Sequence, residues 1–152
     1  MGGNTVPNRA VAQVAGDAFS VPAAVLLEEF RRGGPCQLLL LRYTQALITQ
    51  ISQTAVCNRL HSVEQRLCRW LLLTHDRVRS KELLLTQEFI ANMLGGRRES
   101  VANAARALQQ GKLISYVRGR ITILDRAGLE AGSCGCYEIV KLDVLAKSDK
   151  RR

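Results

Sequence analysis

From Leu85 to Ile114 the chain reads LTQEFIANMLGGRRESVANAARALQQGKLI, two helical periodicities meeting at a pair of glycines. Thr86 suits an N-cap, because its hydroxyl can accept a bond from an orphan N–H of the first turn. Glu88 then sits near the positive end of the helix dipole. Ile90, Met93 and Leu94 make an apolar edge. Gly95 and Gly96 stop this helix and allow the positive φ that a sharp corner needs. In the second helix Val101, Ala104, Ala105 and Leu108 recur at i, i+3, i+4 and i+7, so they share one face. Arg98, Glu99, Asn103 and Arg106 take the opposite side, with Arg97 just before it.

A helix with small residues on its inner face packs close to its partner. Its outer face here carries the groups that read base edges: arginine for guanine, asparagine for adenine, glutamate for the cytosine amine. A helix-turn-helix uses its second helix in this way. An ordinary helical hairpin with a solvated face would show the same spacing, so the next residues matter. Residues 113–117 and 121–124 are rich in β-formers, and Arg118-Gly119 lies between them. Two short strands joined by an X-Gly pair read as a hairpin. Such a wing carries Arg118 and Arg120 near its tip, where arginine can meet phosphate. The expected fold is mainly α with a small β wing: a long helix followed by a winged helix-turn-helix.

The runs LGGRRESV and QQGKLI, with CNRLHSVEQRLCRWLL upstream, resemble the C-terminal half of Crp/Fnr-family transcriptional regulators. The similarity extends over about residues 4–137 and is most specific from 57 to 125. In that family R-E-[ST]-V opens the recognition helix. The resemblance therefore puts Arg98, Glu99 and Ser100 on base-reading and phosphate-touching positions. A further family contact, usually an arginine one turn on, falls on Asn103, and this departure bears on the operator sequence. The resemblance also implies a homodimer joined by the long helix, and RNA polymerase as a further partner. It makes residues 1–34 a remnant edge of the sensor β-roll. Neither the cyclic-nucleotide cassette nor the N-terminal cysteine cluster of some members is found, so no cofactor is carried over.

Composition agrees with a polyanion partner: the formal charge is +9 over 152 residues. Aromatic residues are only 5%, too few for the stacking platforms of single-strand binders, which favours duplex DNA. Five scattered cysteines argue against a disulfide scaffold. No signal-peptide pattern opens the chain, and no apolar run reaches the roughly 18 residues of a membrane span. A cytoplasmic protein with no membrane partner is expected.

In order along the chain, residues 9–14 and 18–21 read as weak strands about a Gly16-Asp17 turn. Pro22 opens a short helix that ends at Arg31 to Gly34. Residues 35–56 read as one helix of roughly 30 Å. Leu41, Thr44, Ile48, Ile51 and Ala55 form a heptad seam on it, with Leu40, Tyr43 and Leu47 beside them. The alternative is a core helix within a monomer; a dimer better accounts for two apolar lines. Two recognition helices about 34 Å apart would read a near-palindromic operator. Ser62 and Gln65 make a capping box for a helix with Val63, Leu67, Trp70, Leu71 and Thr74 inside and Arg59, Glu64, Arg66 and Arg69 outside. Residues 76–84 read as a loop. Asp125 caps a last helix running through Leu129 to Val140, before a frayed basic tail. The domains expected are the remnant edge (1–34), the dimerisation helix (35–56), the winged helix-turn-helix (57–128), and a C-terminal helix and tail (129–152).

Cys57 and His61 would share a face on a continuous helix, but a new helix starting at Ser62 breaks that register. Cys134-Gly-Cys136 cannot complete a tetrahedral zinc site alone. No metal site is expected on these grounds; Cys57 reads as a buried thiol and His61 as a hinge residue. No nucleophile elbow, P-loop or H-E-x-x-H is present, so no enzyme is expected. The site expected is a DNA interface. Arg98 and Glu99, then Asn103, are assigned to base edges. Thr86, Gln87, Arg97, Ser100 and Arg118 are assigned to the backbone, the helix from Gln87 aiming its first N–H groups at phosphate. Two other readings stay open: a dimerisation module that titrates a full-length relative, and a non-specific basic nucleic-acid binder.

Overall fold

The computed structural model of the chain describes residues 11–12, 16–78, 80 and 82–141. Its elements run α1 (Ala23–Arg32), α2 (Pro35–Leu60), α3 (Val63–His75), β1 (Glu82–Leu84), α4 (Gln87–Leu94), α5 (Arg98–Gln110), β2 (Ile114–Val117), β3 (Arg120–Ile123) and α6 (Arg126–Gly132). It is mainly helical with a small antiparallel sheet, as the sequence implies.

The weak strands expected near the start are not found where the chain is described. Residues 18–21 have no regular structure; a single short strand has no neighbour to pair with. Most of 9–14 lies outside the described residues. Pro22 precedes α1 as expected, and Gly33 and Gly34 (φ 76° and 83°) break the chain before α2. Helix α2 runs four residues past the expected end, to Leu60. Nothing in residues 57–60 opposes a helix; extended backbone at His61 (φ −113°, ψ 150°) ends it.

The capping box of α3 forms. Ser62 Oγ accepts from the Gln65 N–H at 3.3 Å, and the Ser62 N–H donates to Gln65 Oε1 at 3.1 Å. Leu67, Leu71 and Leu72 on α3 are fully buried. Trp70 is half-buried and tilts against Phe89, their centroids 6.4 Å apart. Arg69 corrects the expected outer face: it is 6% exposed, and its Nη2 donates to Thr54 Oγ1 of α2 at 3.1 Å. The long helix covers that side of α3.

Residues 82–84 also depart from the expected loop. They form β1, which pairs antiparallel with β3 (Leu83 opposite Ile121) and makes the sheet order β1-β3-β2. Leu83 and Ile121 are both fully buried. They join Ile90, Val101, Ala104, Ala105, Leu108, Ile114 and Leu129 around α3 in one core.

The last expected helix is interrupted. Helix α6 stops at Gly132, Ser133 is extended, and a second helical segment spans residues 136–141. The interruption turns Tyr137 and Val140 into the core, at 0% and 1% exposure. Tyr137 OH donates to Asp76 Oδ2 (3.0 Å) and accepts from Arg126 Nη2 (2.8 Å), which also pairs with Asp76 Oδ1 at 2.8 Å. Burial and the Asp76 carboxylate push the Tyr137 phenol up to about 12. No helix among the described residues is long and apolar enough to cross a membrane.

Candidate nucleic-acid interface

The surface is built from three chain reversals. The first opens α4: Thr86 Oγ1 accepts from the Phe89 N–H at 3.1 Å, which leaves its own proton free to donate outward. The first-turn N–H groups of α4 point the same way as the helix dipole's positive end. The second reversal joins α4 to α5. Gly95 takes the left-handed conformation (φ 61°, ψ 37°), and the Gly96 N–H closes on Ala91 O at 3.0 Å. Only Gly95 needs a positive φ; Gly96 lies outside that region, against the expectation for the pair. Arg66 braces the corner by donating to Leu94 O at 3.1 Å, an arginine the sequence places simply on the outside.

Helix α5 follows with its small face inward. Val101, Ala104, Ala105 and Leu108 are buried, and α5 packs on α3 and α4. Arg97, Arg98, Glu99 and Asn103 are exposed, and Ser100 is half-buried. Arg97 holds the N-cap position without using its side chain to cap. Arg106 Nη1 donates to Asn103 Oδ1 at 3.3 Å, linking the two along the outer face.

The third reversal is the wing tip. Arg118 and Gly119 both have positive φ (48° and 80°) between β2 and β3. Positive φ at both central residues is the signature of a type I′ hairpin turn, which matches strand twist. The arginine at this tip is exposed. Two bonds tie this tip to the start of α4: the Leu85 N–H donates to Gly119 O at 2.7 Å, and Tyr116 OH donates to Leu85 O at 2.9 Å. Burial raises the Tyr116 phenol above its usual value, while nearby Arg98 pulls it the other way.

Thr86, Gln87, Arg98, Tyr116, Arg118 and Gly119 consequently line one shallow concave surface. It draws on the starts of both helices and on the wing. Glu99, Ser100 and Asn103 continue from it along α5, and Arg97 flanks it. Among the described residues Arg97, Arg98 and Arg118 form no ion pair. Their charges are free to meet an anion. Tyr116 was not singled out from the sequence; the only signal for it is an aromatic residue beside an arginine wing.

The long helix contrasts with this domain. Leu41, Ile48 and Ile51 on its expected seam are 48%, 53% and 60% exposed. Cys57, Cys134 and Cys136 form a second buried cluster apart from the main core.

Residues 65–131 match the model of the Crp-like helix-turn-helix domain. Eight solved chains match the structure. One is described as a transcriptional regulator of the Crp/Fnr family from Eubacterium rectale, with TM-score 0.56 and 27% identity, covering 73% of this chain and 51% of that one. The chain thus spans about half the length of that regulator. No curated protein matches the sequence.

Proposed function

Taking residues 65–131 as a Crp-like helix-turn-helix domain, we propose that the chain is a transcription regulator that binds double-stranded DNA sequence-specifically as a homodimer. The observation that carries this reading is the arrangement of α5. Its apolar side is spent on the core, and Arg98, Glu99 and Asn103 stand exposed on the other. In a major groove Arg98 and Glu99 contact base edges, with Asn103 one turn further in. Thr86, Gln87, Arg97, Ser100 and Arg118 hold the sugar-phosphate backbone on either side. The concave surface shared by α4, α5 and the wing supports that division, since phosphates flank the bases that a helix reads.

Dimerisation is supported by α2. Leu41, Ile48 and Ile51 of its heptad seam are apolar yet exposed in the single chain, and exposed apolar surface of this kind marks an interaction site. Two α2 helices side by side would bury both seams and set two α5 helices on successive major grooves. In these terms residues 35–56 are the dimer arm, 57–128 the reading domain and 129–152 its C-terminal extension.

The test begins with selection of duplexes from a random pool by the purified chain. The expected outcome is a near-palindromic consensus, bound about 10³-fold or more tighter than random duplex at physiological salt. Binding that falls with salt but ignores sequence would leave only a basic nucleic-acid binder. No DNA binding by a chain that still dimerises would leave only the module that titrates a relative.

A further inference from the structure

The end of α2 meets the C-terminal segment at four metal-ligating side chains. Cys57, on the last turn of α2, is fully buried; His61 caps that helix; Cys134 and Cys136 follow α6 and are each 5% exposed. Their donor atoms all lie within 4.8 Å of one another. Cys57 Sγ is 3.5 Å from Cys134 Sγ, and Cys136 Sγ is 3.7 Å from His61 Nδ1. The geometry points to a closed, four-coordinate Cys₃His zinc site that ties the dimer arm to the C-terminal segment of the reading domain.

Three observations converge on it. First, ligands at Zn–S and Zn–N bond lengths around a tetrahedral ion stand roughly 3.3–3.8 Å apart, the range of the two close pairs. Thiolates of an iron–sulfur cluster bind different irons, whereas these four donors all lie within 4.8 Å of one another, close enough to share one ion. Second, four protein ligands leave no open position, which is the arrangement of a structural site and not a catalytic one. Third, a charge awaits the site. Arg69 is 6% exposed, pairs with no carboxylate among the described residues, and its Nε has no hydrogen-bond partner. It bears electrostatically on both Cys57 and Cys136. Three thiolates and one Zn²⁺ carry a net single negative charge, which gives the buried guanidinium its counter-ion. Binding converts three thiols to thiolates, and their protons leave to solvent.

Sequence spacing hid this site. Helix α2 stays regular through Cys57 and ends at His61, so the register holds just long enough to put both side chains on one side. The second pair comes from a segment 77 residues away. On the regulator reading above, the metal would fix the angle at which the arm leaves the reading domain; the site itself does not depend on that reading.

The test uses the full chain, purified reduced and stripped of metal, titrated with Co²⁺ and then Zn²⁺. The expected result is saturation at about one ion per chain. Co²⁺ should give the ligand-field bands of a tetrahedral ion and thiolate charge transfer, all displaced by Zn²⁺. Cys134→Ser and Cys136→Ser should each weaken binding by on the order of tenfold or more, while Cys36→Ser should bind as the unaltered chain does. If the serine variants aggregate, the titration of the unaltered chain decides alone. A reduced chain that binds no Co²⁺, that gives only a weak octahedral spectrum, or whose Cys57 and Cys134 stay joined as a disulfide under reductant would overturn the site. None of these readouts uses DNA, so failure here and failure of the regulator reading are distinguishable.

Discussion

Helices α5 and α2 both carry apolar residues at helical spacing and treat them in opposite ways. Along α5 the stripe is inside: Val101 and Ala104 have no exposed surface, and Arg98, Glu99, Asn103 and Arg106 face out. Along α2 the stripe is outside, with Ile51 at 60% exposure. The first helix has met its partners within the chain, and its free face is chemical. The second has not, and its free face is an unmet packing surface. A periodic stripe therefore says that a helix face will be buried; it does not say by what. The residues opposite the stripe carry that information.

The comparison is broken most severely by putting the same charge on each stripe. Val101→Asp buries an unpaired carboxylate against α3 and α4, and should cost on the order of 3–5 kcal/mol, enough to unfold the reading domain. Ile48→Asp should leave its thermal unfolding within about 0.5 kcal/mol at low concentration, yet turn a dimer into a monomer by analytical ultracentrifugation. If Ile48→Asp instead unfolds the domain, the α2 seam is core and not interface.

A smaller effect sharpens where the reading domain ends. Tyr137→Phe strands the Asp76 and Arg126 groups it joins and should cost about 1–3 kcal/mol of stability by denaturant titration. The same contact predicts a pH dependence. Because the folded phenol is raised from 10 to about 12, its contribution is complete below pH 10 and is lost as pH rises through 12. Ultraviolet titration of the three tyrosines should contain a step near pH 12 that Tyr137→Phe removes.

The least effect is expected at the wing. Arg118→Asn keeps a residue that tolerates positive φ and removes the cation. DNA affinity should weaken about equally across sequences, and the slope of log K against log salt should fall by about 1. Loss confined to one base position would move Arg118 from the backbone to the bases.

What the sequence made legible was local. The α4 corner, the α5 face and the β2–β3 hairpin each lie within a few residues of the signal that specifies them, from Thr86 through Gly95 to Arg118-Gly119. What it hid needs distant partners. Strand β1 is three residues long and is a strand only because β3 lies beside it, 38 positions on at Glu82 and Arg120. Arg69 is on the outside of an isolated α3 and on the inside once α2 crosses it. Tyr137 lies in a glycine-weakened stretch of the last expected helix, and the Asp76–Arg126 pair makes it core. The exposed face of α5 was anticipated residue by residue, whereas the contribution of Tyr116, which ties the wing to Leu85, was not.

The account rests on the outer face of α5 reading bases, and Arg98 tests it most directly. Kd would be measured by fluorescence anisotropy for the unaltered chain and Arg98→Ala on a selected operator and on duplexes altered one base pair at a time. The predicted result is a loss of about 1–3 kcal/mol on the operator, with discrimination gone at one symmetry-related base pair and kept at the others. An equal loss on every duplex, or none at all, would contradict it.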